Sequence, residues 1–210
     1  MPDPAPDEPS DAALLRQHVD GDPDAFGVLF KRHSGRFWAV ALRITCDPDD
    51  AADALQEAML SAFRRAGEFR GESAVTTWLH RIVVNASLDL LRRRPARSVN
   101  WSGDPDDLPA PEPRQLRDSV SATDSRMDVD AALRVLPPPQ RAALVLVDML
   151  GYSVADASAI LGVSEGTVKS RCARGRLKLL PYLAHLRGDY SPERNQPVAD
   201  GVQVEQGGGA

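Results

Sequence analysis

Apolar residues in this chain recur every three or four positions and almost never every second one. That period belongs to an α-helix with one buried face, and it argues against a core built from sheet. Phe26, Phe30, His33, Phe37, Val40 and Ile44 form one such stripe behind Pro23, a residue tolerated at a helix start. A second helix over about 49–66 buries Ala51, Leu55, Ala58, Met59 and Ala62. A third over about 74–93 buries Trp78, Ile82 and Leu88. Seven of the eleven aromatic residues lie between Phe26 and Trp78, so this first region holds the bulky core. Residues from about 127 to 186 rely on Leu, Val, Ile and Ala, which suits a small bundle of short helices. The expected fold class is all-α, with two small helical domains.

Proline divides the 210 residues. Four of the 17 prolines fall in the first ten positions and five more between Pro95 and Pro113. Residues 1–10 read as a disordered tail, 11–95 as the first domain, 96–126 as a flexible acidic linker, 127–187 as the second domain and 188–210 as a disordered tail. No apolar run approaches the roughly 18 residues of a membrane span, and the acidic amino terminus lacks the pattern of a secretory signal. Cys46 and Cys172 stand far apart with no metal-binding spacing, which fits a reducing cytosol. His18, His33, His80 and His185 are scattered, and no phosphate-binding, dinucleotide or nucleophile motif appears. The expectation is therefore a protein that is not an enzyme and needs no metal or cofactor.

A net charge of −5 argues at first against a nucleic-acid partner, but its distribution reverses that argument. The acid is concentrated in tails and linker, whereas residues 127–187 hold eight Lys or Arg against five Asp or Glu. Within that region the run from Tyr152 to Arg171 reads as a helix-turn-helix. Ala157 is small where two helices must approach closely. Gly162 can adopt the positive φ that turns the chain, and Ser164 is a good N-cap, with Glu165 in the first turn. Val163 and Val168 pack back on the first helix. Along the second helix, Val168, Cys172, Gly175 and Leu179 form the packed side. Thr167, Arg171, Arg174 and Lys178 form a neighbouring stripe, and Lys169, Ala173 and Arg176 another. Lys169 through Lys178 holds five positive charges and no acid, which suits a major groove. A solvated basic helix in a generic bundle is the plainer alternative.

A second constellation runs from Phe69 to Asn85, beginning as a loop with an aromatic and a glycine and becoming a helix with Trp78, Arg81 and Asn85. Aromatic faces beside basic and amide groups are what unstacked bases require. Trp78 as ordinary core explains the pattern equally well. Asp53, Gln56 and Glu57 share one helix face, suited either to a basic helical partner or simply to solvent.

DALQEAMLSAFR (53–64), FRGESAVTTWLHRIVVNASLDLLRRR (69–94) and GYSVADASAILGVSEGTVKSRCARGRLKL (151–179) resemble, in that order, regions 2.2, 2.3–2.4 and 4.2 of extracytoplasmic-function (group IV) sigma factors of bacterial RNA polymerase. VDMLGYS and EGTVKSRCARGR are nearest the actinobacterial sigma-M branch. The resemblance implies an alternative sigma factor, free as a monomer in the cytoplasm, that binds core polymerase at the β′ clamp and β flap. It implies promoter DNA as a partner, with the first domain melting and reading the −10 element and the second reading the −35 element. An anti-sigma factor, which can hold the protein at the membrane, and a role in stress response are implied as well. Carried over by position, Asp53, Gln56 and Glu57 would meet the clamp. Phe69, Arg70, Ser73, Trp78, Arg81 and Asn85 would meet −10 DNA, with Asn85 in the pocket for a flipped base. Ser164 would start the −35 helix, Lys169, Ser170 and Arg174 would face bases, and Thr167 and Arg171 phosphates. Val75 and Ala173 stand where many members carry an aromatic. The rival class is a helix-turn-helix regulator that acts on duplex DNA without polymerase.

Overall fold

The computed structural model describes residues 8–93 and 129–183. The expected linker (96–126), the carboxy-terminal tail (188–210) and residues 184–187 of the second domain lie outside the described residues. All regular structure among the described residues is helical.

Helix α1 (Asp11–Val19) starts at Ser10, whose hydroxyl accepts the Ala13 amide. Ahead of it, Glu8 pairs with Arg32, as does Asp11. Helix α2 (Ala25–Thr45) follows and ends at Cys46, whose φ of 59° is left-handed, a conformation uncommon outside glycine. Asp47 then caps α3 (Pro48–Arg65) by accepting the Asp49 and Asp50 amides, with Pro48 at the first helical position. A short 3-10 turn (Ala66–Glu68) and a loop lead into α4 (Val75–Arg93). Helix α3 turns Ala51, Ala54, Ala58 and Ala62 inward, all fully buried. These small side chains let α2 and α4 approach closely, and Phe37, Val40, Ile44, Leu79 and Val83 fill the space between.

The carboxy-terminal half begins with helical residues 129–133. Pro138 starts α5 (Pro138–Leu144), which widens into a π-helical turn (Val145–Met149). Gly151, at φ 74°, precedes α6 (Val154–Leu161), capped by Ser153. Gly162 takes φ 66° as expected, and α7 (Glu165–Leu183) completes the helix-turn-helix. Val168, Cys172, Gly175 and Leu179 are all buried, as their spacing predicts.

A close approach of α5 requires a small residue at Gly175. A Cβ built there would lie 2.7 Å from Leu144 Cδ1 and 3.3 Å from Leu144 Cγ. Alanine gains up to about 1 kcal/mol of helix propensity, which offsets moving one leucine methyl. Valine has no such escape, because Gln140 Cβ stands on the other side at 3.8 Å. Gly175→Val is expected to lower unfolding free energy by about 1–3 kcal/mol, read from the urea midpoint, with Gly175→Ala near neutral.

The two halves pack on one another. Helix α4 lies against α5 and α6, and α2 lies against α5 and the π-helical turn.

Candidate nucleic-acid interface

Three surfaces carry the residues singled out from the sequence. On α3, Asp53, Gln56 and Glu57 are exposed on one face, and Leu60 and Phe63 extend that face with apolar surface.

The second surface is built on α4 and the loop before it. Phe69 leaves the 3-10 turn and its ring meets Trp78, with centroids 5.5 Å apart and planes tilted by 55°. Both rings are half-buried against the core, so Trp78 is at once packing and platform. The two readings of this residue therefore do not compete. Arg81 and Asn85, one turn apart, are exposed beside it, as are Arg70 and Ser73 on the loop. Gly71, at φ 73°, turns that loop. Val75 is buried in the core, so its position, where an aromatic would otherwise stand, contributes no exposed ring.

The third surface is α7. Ser164 accepts the Thr167 amide at 3.1 Å and shares a hydrogen bond with the Thr167 hydroxyl at 2.9 Å, so both residues first serve the cap. Lys169 is exposed and pairs with Glu165 one turn back, at 3.5 Å. The Ser170 hydroxyl donates to the Thr167 carbonyl and accepts from Arg174, which holds that guanidinium along the helix. Ala173 and Lys178 are exposed.

Arg171 departs from expectation. It is only 8% exposed, on the packed side of α7 beside Cys172, and in this arrangement it does not offer a guanidinium to phosphate. A helical wheel assigns it to the stripe of Arg174, but helix packing widened the buried side past that stripe.

Several residues that organise the site were missed by sequence reasoning. Arg141 is 1% exposed. Its Nε donates to the Leu133 carbonyl at 2.8 Å, Nη2 to Leu136 at 2.7 Å and Nη1 to Ile44, across the junction of the halves, at 2.5 Å. A single Arg inside the apolar run LPPPQRAALVLV was the available signal. Arg176 pairs with Asp148 through two hydrogen bonds, at 3.0 and 2.6 Å, and Asp148 raises its pKa. That pair rims an apolar groove of about 440 Å³ lined by Leu133, Leu144, Met149, Leu179, Leu180 and Leu183.

His80, read as one of four scattered histidines, is also buried at the junction. Its Nδ1 lies 2.6 Å from the Tyr152 hydroxyl, and its Nε2 is buried with no hydrogen-bond partner. Burial, and then the charges of Arg36 and His33 on α2, lower its pKa from 6.5 to about 4. The folded chain thus holds this imidazole neutral. Its contribution is present above pH 6.5 and is lost as pH falls toward 4, because the unfolded chain binds the proton first. The fall in pKa corresponds to at most about 3 kcal/mol. Thermal melts from pH 7 to pH 4 should show a smaller loss of stability for His80→Gln than for the parent chain.

Among the described residues, no cluster of His, Cys, Asp or Glu could hold a metal ion, and no helix is long and apolar enough to cross a membrane. A helical half with an aromatic-and-amide face is thus joined to a helix-turn-helix half. The family model for Sigma-70 region 2 matches residues 29–97, and that for Sigma-70, region 4 matches residues 126–179. The ECF RNA polymerase sigma factor SigM of Mycobacterium tuberculosis is 49% identical over 179 residues, covering 85% of this chain and 87% of its own. The ECF RNA polymerase sigma factor SigE of Mycolicibacterium smegmatis is 39% identical over 191 residues, covering 85% and 69%. The structure of CnrH in complex with the cytosolic domain of CnrY aligns with TM-score 0.58 at 27% identity, over 86% of this chain and 99% of that one. The sigma factor RpoE of Bartonella quintana, in complex with the anti-sigma factor NepR, aligns with TM-score 0.58 at 27% identity, over 77% and 98%.

The chain belongs to the ECF RNA polymerase sigma factors. It is an alternative sigma factor, a non-enzymatic transcription initiation factor. A duplex-binding regulator independent of polymerase has no use for the region 2 half, and that rival reading falls away.

Proposed function

We propose that the amino-terminal half melts and reads the −10 element while α7 reads the −35 element as duplex. The observation that carries this is one chain presenting two different chemistries. Phe69, Trp78, Arg81 and Asn85 supply a stacking and amide face, and Lys169, Ser170 and Arg174 lie along a capped basic helix. The first suits an extruded base, the second suits base edges in a major groove. Run-off transcription by core polymerase plus this chain on a randomised template library tests the reading. Enrichment of two sequence blocks at fixed spacing supports it, and a single block overturns it.

The exposed face of Asp53, Gln56 and Glu57 docks on a basic helical element, the β′ clamp, with Leu60 and Phe63 adding apolar area. The groove beside Arg176 and Asp148 has the apolar lining and charged rim that an amphipathic helix of the β flap requires. An anti-sigma partner competes for these surfaces, a reading supported by the NepR complex of the Bartonella relative. The chain then works in the cytoplasm, under stress control. Asp53→Lys with Glu57→Lys is expected to weaken binding to core polymerase at least tenfold, about 1.4 kcal/mol, by fluorescence anisotropy. The circular dichroism spectrum should not change, since both side chains are exposed.

A further inference from the structure

One apolar surface of the carboxy-terminal half stays open among the described residues. The groove of about 440 Å³ beside α7 is walled by Leu133, Leu144, Met149, Leu179, Leu180 and Leu183. Its two polar lining residues, Asp148 and Arg176, are hydrogen-bonded to one another, so it offers an occupant mainly apolar contact. The apolar surface runs on past the mouth, since Met149 is 36% exposed, Leu180 46% and Leu177, one turn away, 68%. Contiguous exposed apolar surface on a small protein marks an interaction site.

The place where the chain leaves this half selects the occupant. Leu183 is both the last residue of α7 and part of the groove wall. Residues 184–210 therefore begin at the groove itself. The groove follows α7 from Arg176 to Leu183, about 10 Å of helix. The stretch from Ala184 to Pro197 reaches up to about 50 Å when extended, so the residues after it can return along that length. Those residues include Val198, Val202 and Val204, set between Asp200 and Glu205. From 188 onward, Asp189, Glu193, Asp200 and Glu205 stand against the single Arg194. Helix α7 holds Arg174, Arg176 and Lys178, all exposed, and no acid beyond Glu165. Apolar side chains thus meet an apolar groove, and acids meet the basic helix that bounds it. A segment tethered this closely also presents itself at an effective concentration of roughly millimolar, which gives it an advantage over a second copy of the chain.

We propose that residues 198–204 are an intramolecular ligand of this groove, seated by Val198, Val202 and Val204 between the π-helical turn and α7. Core polymerase then meets a groove already occupied, and must displace the segment to dock there. That consequence rests on the reading of the groove as the β-flap site; the intramolecular docking does not.

A benzophenone side chain placed at Met149, on the groove's rim, reads the docking in the free, full-length chain. On irradiation it should join, within one chain, to the peptide carrying 198–204, as identified by mass spectrometry. Val198→Asp, Val202→Asp and Val204→Asp together should reduce that product at least roughly fivefold. The parent product should persist as salt is raised from about 0.05 M to about 0.5 M. A product that falls with salt and survives the added acids shows a tail held by charge alone, and overturns the proposal. So does a product with residues 94–128, a product between two chains, or no product with the tail. Binding to core polymerase, by fluorescence anisotropy, reads the consequence. A chain ending at Arg187 should bind roughly threefold to tenfold more tightly than the parent. Leu180→Glu in that shortened chain, at an exposed position, should weaken the binding. If it does not, the flap reading fails and the cross-link alone decides the docking. If it does, while removing the tail changes nothing, the masking of the groove is overturned.

Discussion

Arg141→Met is expected to destabilise the chain by about 3–5 kcal/mol, a large fraction of the roughly 5–15 kcal/mol that holds an ordinary domain folded. Methionine keeps the apolar stem and most of the volume, so cavity formation is minor. What disappears is the guanidinium that donates to the carbonyls of Leu133, Leu136 and Ile44, of which that of Leu133 keeps the Leu136 amide as a second donor. Each carbonyl left unpaired costs roughly 1–3 kcal/mol. Burial pushes the guanidinium pKa down, but hydrogen bonds to three acceptors hold its charge in place. Arg141→Lys should recover part of the loss, because one ammonium cannot span three acceptors that a planar fork reaches. Urea titrations of the three proteins decide the matter. A change below about 1 kcal/mol for methionine would show that the carbonyls find other donors.

The other large effect separates the two modes of recognition. Loss of one good base contact costs roughly 1–3 kcal/mol, about ten- to a hundredfold. Asn85→Ala should impair open-complex formation and relax preference at one −10 position, leaving binding to a −35 duplex intact. Asn85 is exposed on the outer side of α4, so its loss should cost no stability. Arg174→Ala should do the reverse. Its guanidinium rests on Ser170 in the free chain and must turn to reach a base edge, so the free hydrogen bonds limit the net loss to the lower part of that range. A template with a pre-melted −10 bubble should partly restore transcription by the Arg174 variant and not by the Asn85 variant. Permanganate footprinting of the −10 region beside gel-shift titration of the −35 duplex reads both. Normal melting with unchanged base preference in Asn85→Ala reduces the first half to a docking module.

Arg171 belongs to neither experiment in its expected role. Its substitution by alanine would test packing before it tested phosphate binding, because the side chain is buried beside Cys172.

The helix-turn-helix was legible because its determinants act within one or two turns. Gly162 permits the left-handed turn, Ser164 caps the next helix, and four small or apolar residues face inward at helical spacing. The Asp53, Gln56, Glu57 face was legible for the same reason, since residues three and four apart on a helix are neighbours wherever the helix lies. Trp78 was half legible. Periodicity placed it inward, residue chemistry placed it at a base, and only the seating of Phe69 against it showed that one position serves both.

The all-helical architecture, the caps and the composition of each helix face were thus determined by the sequence itself, through interactions that span a few residues. The tertiary structure alone decided which cations are buried and which histidine matters. His80 and Tyr152 are 72 residues apart, and Arg141 and Ile44 are 97 apart. No periodicity reaches across such intervals. Whether an arginine faces water or three carbonyls depends on which helix end is packed against it, and that is settled only when the two halves meet.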